Sequence, residues 1–280
     1  MLLTLAQSAR VRGAAGDPLP EVWQALADKD TRFLRGQLCL VAAGPGTGKS
    51  AFVLNYALKS EVSCLYFSAD SDAYIQLSRA ISLLGDIDTY SAGNLARNGS
   101  PEQISDIIGD VPVRFSYEAS PTLDHIELQL MAYEELYGDY PELIVVDNAL
   151  DVVLDDDSEG YSSLDNLMSW LHDLARNTSA CVVVLHHVTG TYNDADKPVP
   201  LSGIKGQIGR VPEMILTLHK EVNEGFADIL KVSTVKNRGQ KADPSGYSYV
   251  ELEFDGDKMN IKDYNNGASS SGWADNVTPF

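Results

Sequence analysis

A chain of 280 residues, 44% of them hydrophobic, is long enough to bury one substantial core. Its formal charge of −19 excludes a surface that attracts nucleic acid everywhere, so any contact with a polyanion has to be local. No run approaches the roughly 20 apolar residues of a membrane span, and no long apolar signal core opens the chain, which predicts a cytoplasmic protein without membrane partners.

Residues 1–36 read as an N-terminal arm or linker. Leu2, Leu3 and Leu5 make a short apolar start, a turn spans Gly13 to Pro20, and Glu21 to Ala27 groups Val22, Trp23 and Leu26 at helical spacing. The arm either packs on its own domain or docks on a neighbouring subunit, and the sequence leaves both open.

From 37 to 264 the pattern is that of one folded unit. Apolar runs at 37–43, 62–68, 112–116, 142–147 and 180–186 predict strands, and they alternate with helical patterns at 50–59, 72–84, 101–108, 121–137 and 161–177. Such alternation predicts an α/β fold, a mainly parallel central sheet flanked by helices. In the fourth helix Leu123, Ile126, Leu130, Tyr133 and Tyr137 form a core stripe, while Glu127, Glu134 and Glu135 face elsewhere. Cys39, Cys64 and Cys181 each sit in a strand-like run, as reduced buried thiols do, and no disulfide or zinc framework is visible. Beyond residue 212 strands recur without long helices, at 213–219, 227–235, 247–254 and 259–261, and are expected to extend the sheet as antiparallel strands. Residues 265–280, rich in Asn, Ser and Gly, are expected to form a disordered tail.

The segment Ala43-Gly44-Pro45-Gly46-Thr47-Gly48-Lys49-Ser50 lies between the first predicted strand and the first long helix. A glycine-rich turn there aims backbone N–H groups at a polyphosphate. The helix N-terminus adds its dipole, and Lys49 neutralises the outer phosphates. Ala43 stands where the usual Gly-x-x-x-x-Gly-Lys-Ser/Thr pattern has its first glycine, but the strand before and the helix after supply the context that the motif requires. The chain is therefore expected to bind a nucleoside triphosphate.

Such a site needs a carboxylate at the end of a buried strand to hold the water shell of Mg²⁺, and Asp147 follows Leu143-Ile144-Val145-Val146. Ser50 is the expected hydroxyl ligand of the same ion. The attacking water needs an orienting base, for which Asp70 is the candidate on a strand expected beside the P-loop strand; Asp72 is the runner-up and has a competing role as a helix cap. His186 and His187 end another strand, where adjacent side chains point to opposite faces, so they do not ligate one metal together. His187 is the candidate γ-phosphate sensor.

Together these elements resemble the RecA-type ATPase core of the DnaB-like replicative helicase family over about residues 30–262. Phe67-Ser68-Ala69-Asp70 lies where the family has Phe-Ser-Leu-Glu, His187 where it has its polar sensor, and Lys236-Asn237-Arg238 where it has Lys-x-Arg. The resemblance implies ATP and Mg²⁺ as ligands and a homo-oligomeric, hexameric ring. It makes Lys236 and Arg238 residues that reach the neighbour's γ-phosphate, and it makes the glycine-rich stretch from Val188 to Arg210, with Lys205 and Arg210, a loop that grips single-stranded DNA. Asp70 is one methylene shorter than the family's glutamate, which bears on rate. The chain lacks the helical or primase domain that members usually carry, and so resembles compact phage versions. The acidic loop Asp155 to Glu159 matches no family motif and reads as solvated, which leaves nuclease chemistry the least supported option. The aromatic tail from Trp273 to Phe280 is a candidate docking peptide for replication proteins. A RecA-type recombinase and a regulatory ATPase that never touches DNA are the alternatives.

Overall fold

A computed structural model of the chain describes residues 2–154, 161–223 and 225–264. The acidic loop at 155–159 and the tail at 265–280 lie outside the described residues. In chain order the elements are α1 (Leu5–Val11), α2 (Gln24–Ala27), β1 (Leu38–Ala43), α3 (Lys49–Lys59), β2 (Cys64–Ser68), α4 (Ala73–Gly85), α5 (Thr89–Asn98) and α6 (Pro101–Ile108). They continue with β3 (Val113–Ser116), α7 (Leu123–Tyr137), β4 (Leu143–Asp147), α8 (Tyr161–Thr178), β5 (Cys181–His187), β6 (Met214–Glu221), β7 (Asp228–Asn237), β8 (Tyr249–Asp255) and β9 (Asn260–Asp263).

All nine of these strands form one sheet in the order β3-β2-β4-β5-β1-β6-β7-β8-β9. The first six are mutually parallel and the last three add antiparallel pairs. Both faces of the central strands are covered, so β1 is apolar throughout: Cys39, Val41 and Ala43 face one core, Leu38, Leu40 and Ala42 the other. The first core takes Phe52 and Tyr56 from α3, and the second takes Ile126 and Leu130 from α7 and Leu167, Met168 and Leu171 from α8. Part of the segment read as an arm joins the first core. Trp23 stacks on Phe52 with ring centroids 4.6 Å apart, and its indole N–H donates to the Ile261 carbonyl at 3.0 Å.

Three features depart from the sequence reading. β6 runs parallel to β1, with Cys39 beside Met214, so the antiparallel extension begins only with β7. β2 does not lie beside the P-loop strand, because β4 and β5 stand between them. Two helices carry no apolar stripe and were not expected: α1 buries no residue, and α5 buries only Ala92 and Gly93. Elsewhere α7 keeps its stripe except at the end, where Tyr137 is exposed. The three cysteines are free and buried, and desolvation pushes each thiol up. Among the described residues no helix is long and apolar enough to cross a membrane.

Candidate nucleotide site

The C-terminal ends of β1, β2, β4 and β5 share one edge of the parallel sheet, the place where open α/β folds bind ligands. Ala43, fully buried, is the last residue of β1, so the position tolerates a side chain where a glycine is usual. The turn that follows needs glycine for two different reasons. Gly46 (φ +72°) and Gly48 (φ +103°) occupy the left-handed region. At Gly44 the constraint is space: a Cβ there would lie 2.5 Å from the backbone oxygen of Asn193. Thr47 closes the turn by donating its hydroxyl to the Gly44 carbonyl at 2.8 Å, and α3 starts at Lys49, with Pro45 and Gly46 exposed at the crest.

Asp147 ends β4 and is buried. Its Oδ2 accepts the hydroxyl of Tyr66 at 3.0 Å, whereas Oδ1 has no hydrogen-bond partner among the described residues. Desolvation pushes the carboxyl up from the ordinary aspartate range. The Lys49 ammonium and the Ser50 and Tyr66 hydroxyls pull it back, and Asp70 pushes it up again. A buried carboxylate with one vacant oxygen, next to a serine hydroxyl and a lysine, suits a hydrated Mg²⁺ on a triphosphate. Asp70 is exposed just beyond β2, and the amides of Ala69 and Asp70 approach the Asp147 carbonyl at 2.9 and 3.4 Å. Asp72 caps α4, its carboxylate accepting the Ile75 amide at 2.9 Å.

His187 pairs in register with Ala43 at the foot of the turn. Its pKa is held down first by burial, then by Lys49 and Lys205, with Asp70 and Asp151 opposing. The geometry thus gathers Lys49, Ser50, Asp70, Asp147 and His187 at one sheet edge. Sequence reasoning missed Tyr66, which reads as an ordinary core aromatic, and the cover over Gly44, a contact 149 residues away in the chain.

Lys236 and Arg238 are not brought to this edge. Asn237 between them pairs with Met214, which pairs with Cys39, about 13 Å down the strand from Ala43 at ~3.3 Å per residue. Lys236 Nζ donates to the carbonyls of Gly209 and Arg210 at 2.7 and 2.8 Å, and Arg238 Nη2 donates to that of Arg210 at 3.0 Å. Glu213 steadies the group, lying 3.5 Å from Arg238 Nη1 and 3.1 Å from His172 Nε2 while accepting the Leu38 amide. The two cations of the loop part company. Lys205 is exposed and its charge is felt by both His186 and His187, whereas Arg210, its side chain 76% exposed, lies 3.7 Å from Asp165 at the far end.

A family model described as the DnaB-like helicase C-terminal domain matches residues 20–262. The gene 65 protein of Mycobacterium phage L5 is 59% identical over 268 residues, covering 94% of this chain and 99% of its own length. The gene 65 protein of Mycobacterium phage D29 is 57% identical over 231 residues, 81% of this chain and 99% of its own. Among solved structures, a chain described as an ATPase domain superposes with a TM-score of 0.76 at 16% identity, covering 93% of this chain and 96% of that one. A DnaB-like replicative helicase, solved in a study of its interactions with primase, gives 0.77 at 16% identity; 93% of this chain is covered but only 65% of the helicase chain. The RecA-like ATPase fold agrees with the family model matched over residues 20–262: the chain belongs to the DnaB-like helicase C-terminal domain family.

Proposed function

We propose that the protein is an ATP-hydrolysing motor that works on single-stranded DNA as a homo-oligomeric, hexameric ring. The observation that carries this reading is a division of labour. Lys49, Asp70, Asp147 and His187 converge on one P-loop, while Lys236 and Arg238 of the same chain lie at the other end of β1. If Arg238 is the arginine that offsets developing charge at such a site, a second subunit has to supply it.

In this reading Lys49 contacts the β- and γ-phosphates, and Ser50 and Asp147 hold Mg²⁺, which when bound neutralises charge on the phosphate oxygens. Asp70 orients the attacking water, and His187, kept neutral, faces the γ-phosphate. Lys205 and Arg210 contact the DNA backbone in the ring channel, and the tail at 265–280 meets replication proteins. The −19 charge favours a second reading, an assembly or regulatory ATPase that does not bind DNA.

Steady-state ATP hydrolysis with Mg²⁺, with and without single-stranded DNA, separates the two, with Lys49→Ala as the control for contaminating enzymes. Strong stimulation by DNA is expected. DNA-independent hydrolysis with no DNA binding at low salt would give the answer to the regulatory reading.

A further inference from the structure

His186 has no task in the reading above, yet it is completely buried at the catalytic end of β5. Its Nε2 lies 2.8 Å from the backbone oxygen of Lys205. A carbonyl only accepts, so Nε2 carries the proton and Nδ1 is left as an acceptor. That second nitrogen is buried with no partner among the described residues. An apolar side chain would fill the same strand position without an orphaned nitrogen, so the imidazole is kept for what Nε2 does. Burial also pushes its pKa down to about 4, which keeps the ring in this single neutral form near pH 7.

Lys205 stands at a telling place. The preceding loop is closed at its neck by the bridge between Val188 and Ile204 and by the Thr189 amide donating to the Gly203 carbonyl at 2.8 Å. Lys205 is the first residue beyond that neck, and the Tyr192-Asn193 turn inside the loop rests on Gly44 of the phosphate turn. Neighbouring strand residues point to opposite faces, so His187 and His186, their rings 6.4 Å apart, look toward the nucleotide and toward the loop respectively.

We propose that His186 is a positioning residue. Its Nε2–H bond to the Lys205 carbonyl makes the neck of the 188–210 loop follow the strand that carries His187, so the nucleotide state reaches the loop. This rests on the role given above to His187 and the loop.

The test is trypsin cleavage after the exposed Lys205, read by mass spectrometry with and without ATPγS and Mg²⁺. The proteins compared are wild type, His186→Leu and His186→Gln, whose amide N–H reaches about as far as Nε2. Nucleotide should change the wild-type cleavage rate. His186→Leu should lose that difference while still binding a fluorescent ATP analogue, and His186→Gln should restore it. His186→Ser, too short to reach the carbonyl, replaces the leucine variant if that one does not fold. A wild-type rate blind to nucleotide, a full response in the leucine or serine variant, or a glutamine variant as silent as leucine overturns the proposal. DNA-stimulated hydrolysis is measured in parallel. A loop that responds to nucleotide in a protein indifferent to DNA sinks the motor reading and leaves the tie in place.

Discussion

His186 and His219 are held neutral by burial, both pushed down to about 4 from 6.5. Lys49, Lys205 and His187 add to the effect at His186, and Lys231 adds to it at His219 against Asp196. The unfolded chain takes up protons at these rings as pH falls through 6.5, and the native state does so only near 4, so stability is lost on acidification across that window. For His186 alone the effect is on the order of 3 kcal/mol. Urea melts at a series of pH values should therefore show a flatter profile for His186→Gln than for wild type; parallel profiles would contradict the buried, neutral assignment. Asp147 has the opposite sign. Its carboxyl is raised by desolvation, so its contribution to stability declines as pH rises above the ordinary aspartate range. Asp147→Asn keeps an acceptor for Tyr66 and removes the buried charge. It should raise the melting temperature of the nucleotide-free protein at pH 7 while lowering ATP hydrolysis roughly 100-fold or more. A lower melting temperature would mean that the charge is compensated in the free protein.

Between elements, the contact that matters most is the one between the phosphate turn and the Gly190–Tyr192 turn with Asn193. Gly44→Ala forces a methyl group against a backbone oxygen, which cannot rotate away as a side chain can. Destabilisation of roughly 1–3 kcal/mol by urea melts is expected. Gly46→Ala meets nothing within 4 Å but keeps a positive φ, so only strain of about 1–2 kcal/mol applies and trypsin access to the 188–210 loop should stay as in wild type. At this scale much of the molecule was legible in the chain. β1, β2, β4 and β5 end within a residue of where the apolar runs do, because strands buried on both faces must be apolar throughout, and the half-exposed edge strand β3 ends where its run does. α5 was not legible, because it packs through small residues, Ala92 and Gly93: a Cβ on Gly93 would lie 2.8 Å from the Tyr74 hydroxyl, so the contact needs the absence of a side chain. The direction of β6 was hidden for a different reason. A period of two marks a strand but carries no arrow, and the crossover through residues 188–210 sets the arrow.

For the whole molecule, the order of the strands could not be read from the chain, yet the true place of β2 leaves Asp70 at the same edge as the P-loop. Parallel strands deliver their C-terminal ends to one edge whatever their sequence in the sheet, so Asp70 reaches Asp147 across β2 and β4 although β2 is distant from β1. Lys236 and Arg238 carry the assembly prediction. Arg238→Ala should bind ATP normally and hydrolyse it about 1,000-fold more slowly. Mixed with Lys49→Ala, which lacks a working P-loop but keeps its arginine, it should recover part of the rate. No recovery in mixed assemblies, or weakened ATP binding with unchanged turnover, would remove the arginine from the neighbour's site. The acidic surface makes a further demand: DNA binding through a few loop cations should show a shallow dependence on salt, each phosphate contact contributing a slope of about 0.7 on a log–log plot for single strands.

Lys236 and Arg238 already have partners at home, the carbonyls of Gly209 and Arg210. A side chain cannot stretch to its own loop and to a neighbour's phosphate at once, so each position competes with the other. Any ligand that draws these side chains outward must at the same time unfasten the end of their own loop. By reciprocity, a strand that clamps the loop in its present position makes the outward move harder by the same free energy. In the proposed ring, this competition would make a boundary resist firing until the grip at the next has loosened, which would impose an order of events around the assembly.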